Sequence, residues 1–237
     1  MDIRELEQLV QERQGALSAA FPALMLKVYV WMTMALAITG ICAYGVAQSP
    51  SLMQLLFSNS MTIWVLFIAE LGLVFYTTAR IDKLSLTTAT SLFVLYSALN
   101  GVTLSSIFAI YAGATIAKVF FITAGTFAAM AVYGYVTKAD LSKMGQILFM
   151  ALIGLIIATV VNIFLKSAMF DLILSYIGVG IFVGLTAWDS QKIKRMLAVQ
   201  TDMSETAQKI ALMGALTLYL DFINLFLYLL RIFGNRD

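Results

Sequence analysis

An all-α membrane protein with seven transmembrane helices is the fold class that this sequence predicts. Three observations point to it. Of the 237 residues, 61% are hydrophobic and only 12% are charged, whereas a soluble domain carries about 25% charged residues. The mean hydropathy is +0.92. Apolar runs of about 20 residues, the length that crosses a bilayer, recur seven times along the chain.

The chain opens on "MDIRELEQLVQERQG". Its first charge is acidic and no short apolar core with a small-residue cleavage site follows, so it does not read as a signal peptide. Residues 1–27 are expected to form a polar, partly helical cytoplasmic tail. The apolar runs fall at 28–47, 61–79, 86–108, 115–137, 145–165, 172–188 and 210–230. Together they make one transmembrane domain, 28–232, followed by a short tail, 233–237. The sixth run is the shortest. Its continuation "DSQKIKRML" contains neither Gly nor Pro and consists of good helix formers, so the helix is expected to extend past Asp189.

Orientation follows from the flanking Lys and Arg residues. The N-terminus and the loops after spans two, four and six hold 11 of them, against 4 on the other side. This bias puts the N-terminus in the cytoplasm and, with seven spans, the C-terminus outside. Small residues recur within spans, as at Gly178, Gly180 and Gly184, and are read as sites of close helix packing.

Composition also excludes functions. The chain has no histidine, so zinc sites of the HExxH kind and Ser-His-Asp triads are impossible. Its one cysteine, Cys42, can form no intramolecular disulfide. A net charge of +2 gives no argument for nucleic acid. The seventh span has no lysine for a retinal Schiff base, and the surroundings of its acid do not resemble an intramembrane aspartyl protease. The expectation is a protein that is not an enzyme and holds no permanent cofactor.

The informative residues are the ionisable ones inside the spans, since a carboxylate at the centre of a membrane helix costs roughly 2.5–3.5 kcal/mol on insertion scales. At 100° per residue, Gly214, Thr217, Asp221, Asn224 and Tyr228 share one face of the seventh helix, while Leu216, Phe222, Phe226 and Leu229 lie away from it. Such a polar stripe must face protein or a water-filled cavity rather than lipid. The seventh helix is therefore expected to be central, with other helices around it. Glu70 is the second mid-span acid, about 15 Å from the cytoplasmic end of its helix. Asp189 and Arg80 sit near the cytoplasmic rim. Asp171 opens the sixth span on the outer side, where a carboxylate stabilises a helix N-terminus. These acids read either as neutral groups fixing helix register or as parts of an ion or proton pathway.

"GLTAWDSQKIK" (184–194) and "TLYLDFINLFLYLLRIFG" (217–234) resemble signature segments of the Bax inhibitor-1 family, the transmembrane Bax inhibitor motif proteins. "AELGLVFYTTARI" (69–81) and "YSALNGVTLSSIFAIY" (96–111) match as well, and the resemblance runs from Val28 to Gly234. Terse loops make the chain look like a bacterial inner-membrane member. The resemblance implies a last helix enclosed by the other six, and a pH-sensitive cation leak, calcium in particular. It implies that a pair of aspartates, matching Asp189 and Asp221, senses pH and holds calcium weakly and in passing. Arg80 matches the arginine that locks the closed form, and Glu70 matches the second-helix acid. Glu70 and Asn224 are the candidates for lining the ion pathway.

The physics of such a pair is general. Two carboxylates within hydrogen-bond reach cannot both ionise cheaply, so they share a proton. Protonation weakens their hold on an arginine, and pH then shifts a closed–open equilibrium. The alternative function is a regulatory membrane protein that binds a protein partner, such as a membrane protease, without transport. Simple spans leave one difficulty. They put Asp189 at the rim, Asp221 a few turns deeper, and a loop of about twenty residues between the two helices.

Overall fold

The computed structural model describes residues 3–234. The first two residues and the end of the expected C-terminal tail, 235–237, lie outside that range. Within it the chain forms eight α-helices and no strand: α1 (Ile3–Ala47), α2 (Pro50–Phe57), α3 (Ser60–Arg80), α4 (Leu86–Leu104), α5 (Gly113–Val136), α6 (Ser142–Leu165), α7 (Ala168–Ala198) and α8 (Glu205–Phe233). Every helix except α2 is long and apolar enough to cross a membrane. The protein is an all-α membrane protein.

Two boundaries differ from the sequence reading. The first span begins at Ala20, not at residue 28, and the expected tail is helical and continuous with it, with Pro22 inside the helix. Lys27 does not interrupt the run because its ammonium is provided for: it donates to Gln208 Oε1 and lies 5.5 Å from the centre of the Trp31 ring. The sixth span does extend through the basic run, and α7 ends at Ala198. Only residues 199–204 then separate α7 from α8, not about twenty. The short helix α2 was not anticipated. Ser49 caps it, accepting from the Leu52 N–H, and Pro50 occupies its first turn, where a missing N–H costs nothing.

The chain divides into two compact units. In the first, residues 1–106 with 193–216, α1 and α4 meet closely. A Cβ at Gly101 would stand 2.5 Å from the Thr39 carbonyl oxygen, so only glycine admits the approach. Thr39 Oγ1 donates to the Ser97 carbonyl at 2.8 Å across the same seam. The first turn of α4 is satisfied twice: Ser85 Oγ accepts from the Thr88 N–H, and Glu205 Oε1 accepts from the Leu86 N–H.

The second unit comprises residues 107–192 and 217–237. Here α7 is clasped through small residues. A Cβ at Gly134 of α5 would fall 2.0 Å from the Ala187 carbonyl oxygen, and one at Gly145 of α6 would overlap the Trp188 ring. Within α7 itself, Gly178 lies against the Tyr228 ring and Gly184 against Leu148, whereas Gly180 has open space. Gln191 ties the α5–α6 connection to α7: its Oε1 accepts from the Leu141 N–H at 3.0 Å and its Nε2 donates to the Ala139 carbonyl at 2.8 Å. Helix α6 ends at Lys166, whose φ of 51° turns the chain and whose N–H returns to the Asn162 carbonyl.

Helix α8 is the most enclosed span. Two thirds of its apolar window (67%) is buried, against 33% at most for any other span and 6% for α6. Its apolar face packs on rings of α5: Phe222 lies 5.4 Å from Phe120 and 5.5 Å from Phe127 between ring centres.

Candidate functional site

The polar stripe of α8 opens on a cavity. Thr217, Asp221, Asn224 and Tyr228, four of the five residues that share this face, line a space of about 450 Å³ bounded by α6 and α7. The fifth, Gly214, belongs to the first unit and packs against Ile193 there. A helix that must carry a carboxylate through the bilayer thus turns it toward a partly open pocket in which the group is buried, as the cost of exposing it to hydrocarbon requires.

Asp189 reaches the same space from α7. Its carboxyl group and that of Asp221 line one pocket and interact electrostatically. Both are buried, at 7% and 5% exposure. Two buried carboxyl groups that interact cannot both ionise cheaply. Asp221 Oδ2 is buried and lacks a hydrogen-bond partner. The rim position read for Asp189 is corrected. Because α7 continues for nine residues beyond it, Asp189 lies inside the helical bundle of its unit and level with Asp221.

The two ends of the cavity differ. Beside the pair, Lys192 acts electrostatically on Asp189, and its ammonium lies 5.0 Å from the centre of the Trp188 ring. At the other end Tyr228 stacks on Phe182, with ring centres 5.9 Å apart. Arg231 sits 5.5 Å from the Tyr228 ring centre and pairs with Asp171 at 3.5 Å. Asp171 stands in the first turn of α7, as expected of an outer-side N-terminal acid. Asn224 lines the cavity while its amide donates to the Leu220 carbonyl one turn back.

The other two named residues belong to the first unit. Glu70, on α3, is buried at 8% exposure, and both of its oxygens are engaged on α4. Oε2 accepts from Asn100 Nδ2 at 3.2 Å, and Oε1 accepts from Thr103 Oγ1. Arg80 ends α3 with its side chain exposed. Sequence reasoning did not single out Asn100 and Thr103. Their i, i+3 spacing on a helix next to an acid-bearing span was the available signal. Gln191 and Trp188 were missed for a different reason, because their partners come from distant loops and helices.

The donor set at the pair is small for a metal. Calcium takes six to eight oxygen ligands, and no cluster of three or more His, Cys, Asp or Glu side chains occurs among the described residues. Two carboxylates, a hydroxyl and an amide could hold a calcium ion only weakly and with much of its water retained.

The chain's relatives match its sequence over almost its full length. Residues 22–237 match the model of the family described as inhibitor of apoptosis-promoting Bax1. The inner membrane protein YbhL of Escherichia coli K12 is 52% identical over 232 residues, 97% of either chain. An uncharacterized protein of Borreliella burgdorferi is 46% identical over 228 residues, covering 96% of this chain and 97% of its own. An uncharacterized protein of Deinococcus radiodurans is 40% identical over 235 residues, 99% of this chain. With the family model covering nearly the whole chain and relatives at this identity, the protein belongs to the Bax inhibitor-1 family of membrane proteins.

Proposed function

We propose that this protein is a pH-sensitive leak for cations, calcium in particular, governed by the Asp189–Asp221 pair. It acts as a channel or exchanger and performs no chemistry of its own. The observation that carries the reading is that two buried carboxyl groups, Asp189 and Asp221, line one pocket, where sharing a proton costs less than ionising both. Gaining or losing that proton changes the charge of a low-dielectric site by a full unit, a large perturbation where charges are poorly screened. Protonating the pair shifts the closed–open equilibrium toward the conducting state, which couples cation passage to pH. Arg80 acts as the lock of the closed state, and Glu70 and Asn224 lie along the ion path. The protein sits in the inner membrane with its N-terminus in the cytoplasm, in keeping with the printed name of its Escherichia coli relative and with the distribution of Lys and Arg.

The test is flux. Purified protein in liposomes loaded with a calcium dye is given a pH step outside. Calcium entry that rises as pH falls supports the leak. Flux absent at every pH would refute it and leave the partner-binding reading, a regulator of another membrane protein.

A further inference from the structure

We propose that the cavity between α6, α7 and α8 also binds amphipathic organic cations. The ligand class is an aryl-alkyl ammonium, its charged end on the Asp189–Asp221 pair and its apolar body among the rings of Phe149, Phe182 and Trp188.

Four observations converge on this chemistry. The first is size: about 450 Å³ falls in the range of small-molecule sites, roughly 300–1,000 Å³, and far exceeds what one ion needs. The second is the unsatisfied acceptor. Asp221 Oδ2 is buried without a partner, which native structures seldom leave unexplained. An ammonium is a donor only and supplies what that oxygen lacks. Rotation about the broad χ2 torsion of Asp brings either oxygen to the cavity side.

The third is the wall. Apart from the acid pair, Lys192 and the small polar groups of α8, the lining is aromatic and aliphatic. Such a wall suits an apolar body and disfavours a hydrated metal ion. One of its rings already carries a cation, since Lys192 lies over Trp188, so the aromatic faces are used electrostatically within the site. The fourth is access. The pocket is partly open, and only 6% of the α6 span that helps to line it is buried, so an amphipathic amine that accumulates in lipid can reach it. This binding does not depend on ion flux and is measured without it.

The experiment uses the full chain in phosphatidylcholine nanodiscs, with empty nanodiscs as the blank. Phenethylammonium is titrated calorimetrically beside its neutral match, phenethyl alcohol. The expected result is saturable binding of the amine, one per chain, at least about tenfold tighter than the alcohol, which corresponds to about 1.4 kcal/mol. Leu152→Trp fills the cavity from α6 and keeps both carboxyl groups, and it should remove the binding. Asp221→Asn is nearly isosteric and should weaken the amine alone, which decides the matter if the tryptophan variant fails to fold. Equal affinity for amine and alcohol, or amine binding that survives both substitutions, would overturn the proposal.

Discussion

The Asp189 carboxyl group on α7 and the Asp221 carboxyl group on α8 are buried against one pocket, and Asp221 Oδ2 has no hydrogen-bond partner. Asparagine at either position is nearly isosteric and offers an N–H donor where a carboxyl group would offer its proton. The fold should therefore survive Asp189→Asn or Asp221→Asn, while the titrating proton is gone. Each single variant is expected to abolish the pH dependence of calcium flux in liposomes. The double variant should add little, since the two groups titrate as one unit. A single variant that keeps the full pH response would remove the pair from the mechanism.

Arg80 is exposed at the end of α3, and the family resemblance casts it as the closed-state lock. If it holds the closed state, Arg80→Ala raises flux near neutral pH several-fold, or about 1 kcal/mol in the closed–open equilibrium, and flattens the response to acid. Little loss of thermal stability is expected from a side chain on the surface. Unchanged flux in a well-folded variant would leave Arg80 as a positive-inside anchor.

Glu70 gives a sharper distinction between structure and transport. Both of its oxygens accept from α4, from Asn100 and Thr103. Leucine offers no acceptor, so Glu70→Leu takes both acceptors away from the Asn100 and Thr103 donors in a buried place. Destabilisation of about 1–3 kcal/mol is expected, read from denaturation in detergent. An ion-path role predicts, in addition, reduced calcium flux in the folded fraction. Full flux per folded molecule would assign Glu70 to the α3–α4 seam alone.

Two glycines on α5 form a matched pair. An alanine Cβ at Gly134 would stand 2.0 Å from the Ala187 carbonyl oxygen, a backbone atom that cannot rotate away, whereas at Gly125 it meets nothing within 4 Å. Gly134→Ala should cost about 1–3 kcal/mol through overpacking and push α7 from its place. Gly125→Ala should be neutral or gain up to about 1 kcal/mol in helix propensity. Because Ala187 is two residues from Asp189, the first variant should also disturb the pH response of flux. Equal melting temperatures for the two variants would contradict the close α5–α7 packing.

The sequence by itself determined the solvent and the periodic features. Hydrophobic length and charge depletion are local properties, so the membrane class and all seven spans were legible, as was the stripe through Asp221 that fixes which side of α8 avoids lipid. Helix-forming composition likewise carried α7 past Asp189 without any tertiary knowledge. The tertiary structure decided what each buried acid touches. Asp189 looked like a rim residue because its neighbours Lys192, Lys194 and Arg195 mark an apparent end of the span. Only close packing at Gly134 and Gly145 and the tie from Gln191 to the α5–α6 connection set the position at which α7 presents it to Asp221. Glu70 and Asp221 looked alike in sequence, two acids in two apolar runs. The structure gives one of them two donors and leaves the other an oxygen without a partner. Periodicity reports the face of a helix, but a hydrogen bond also needs axial position and separation, which depend on small residues on neighbouring helices many positions away in the chain.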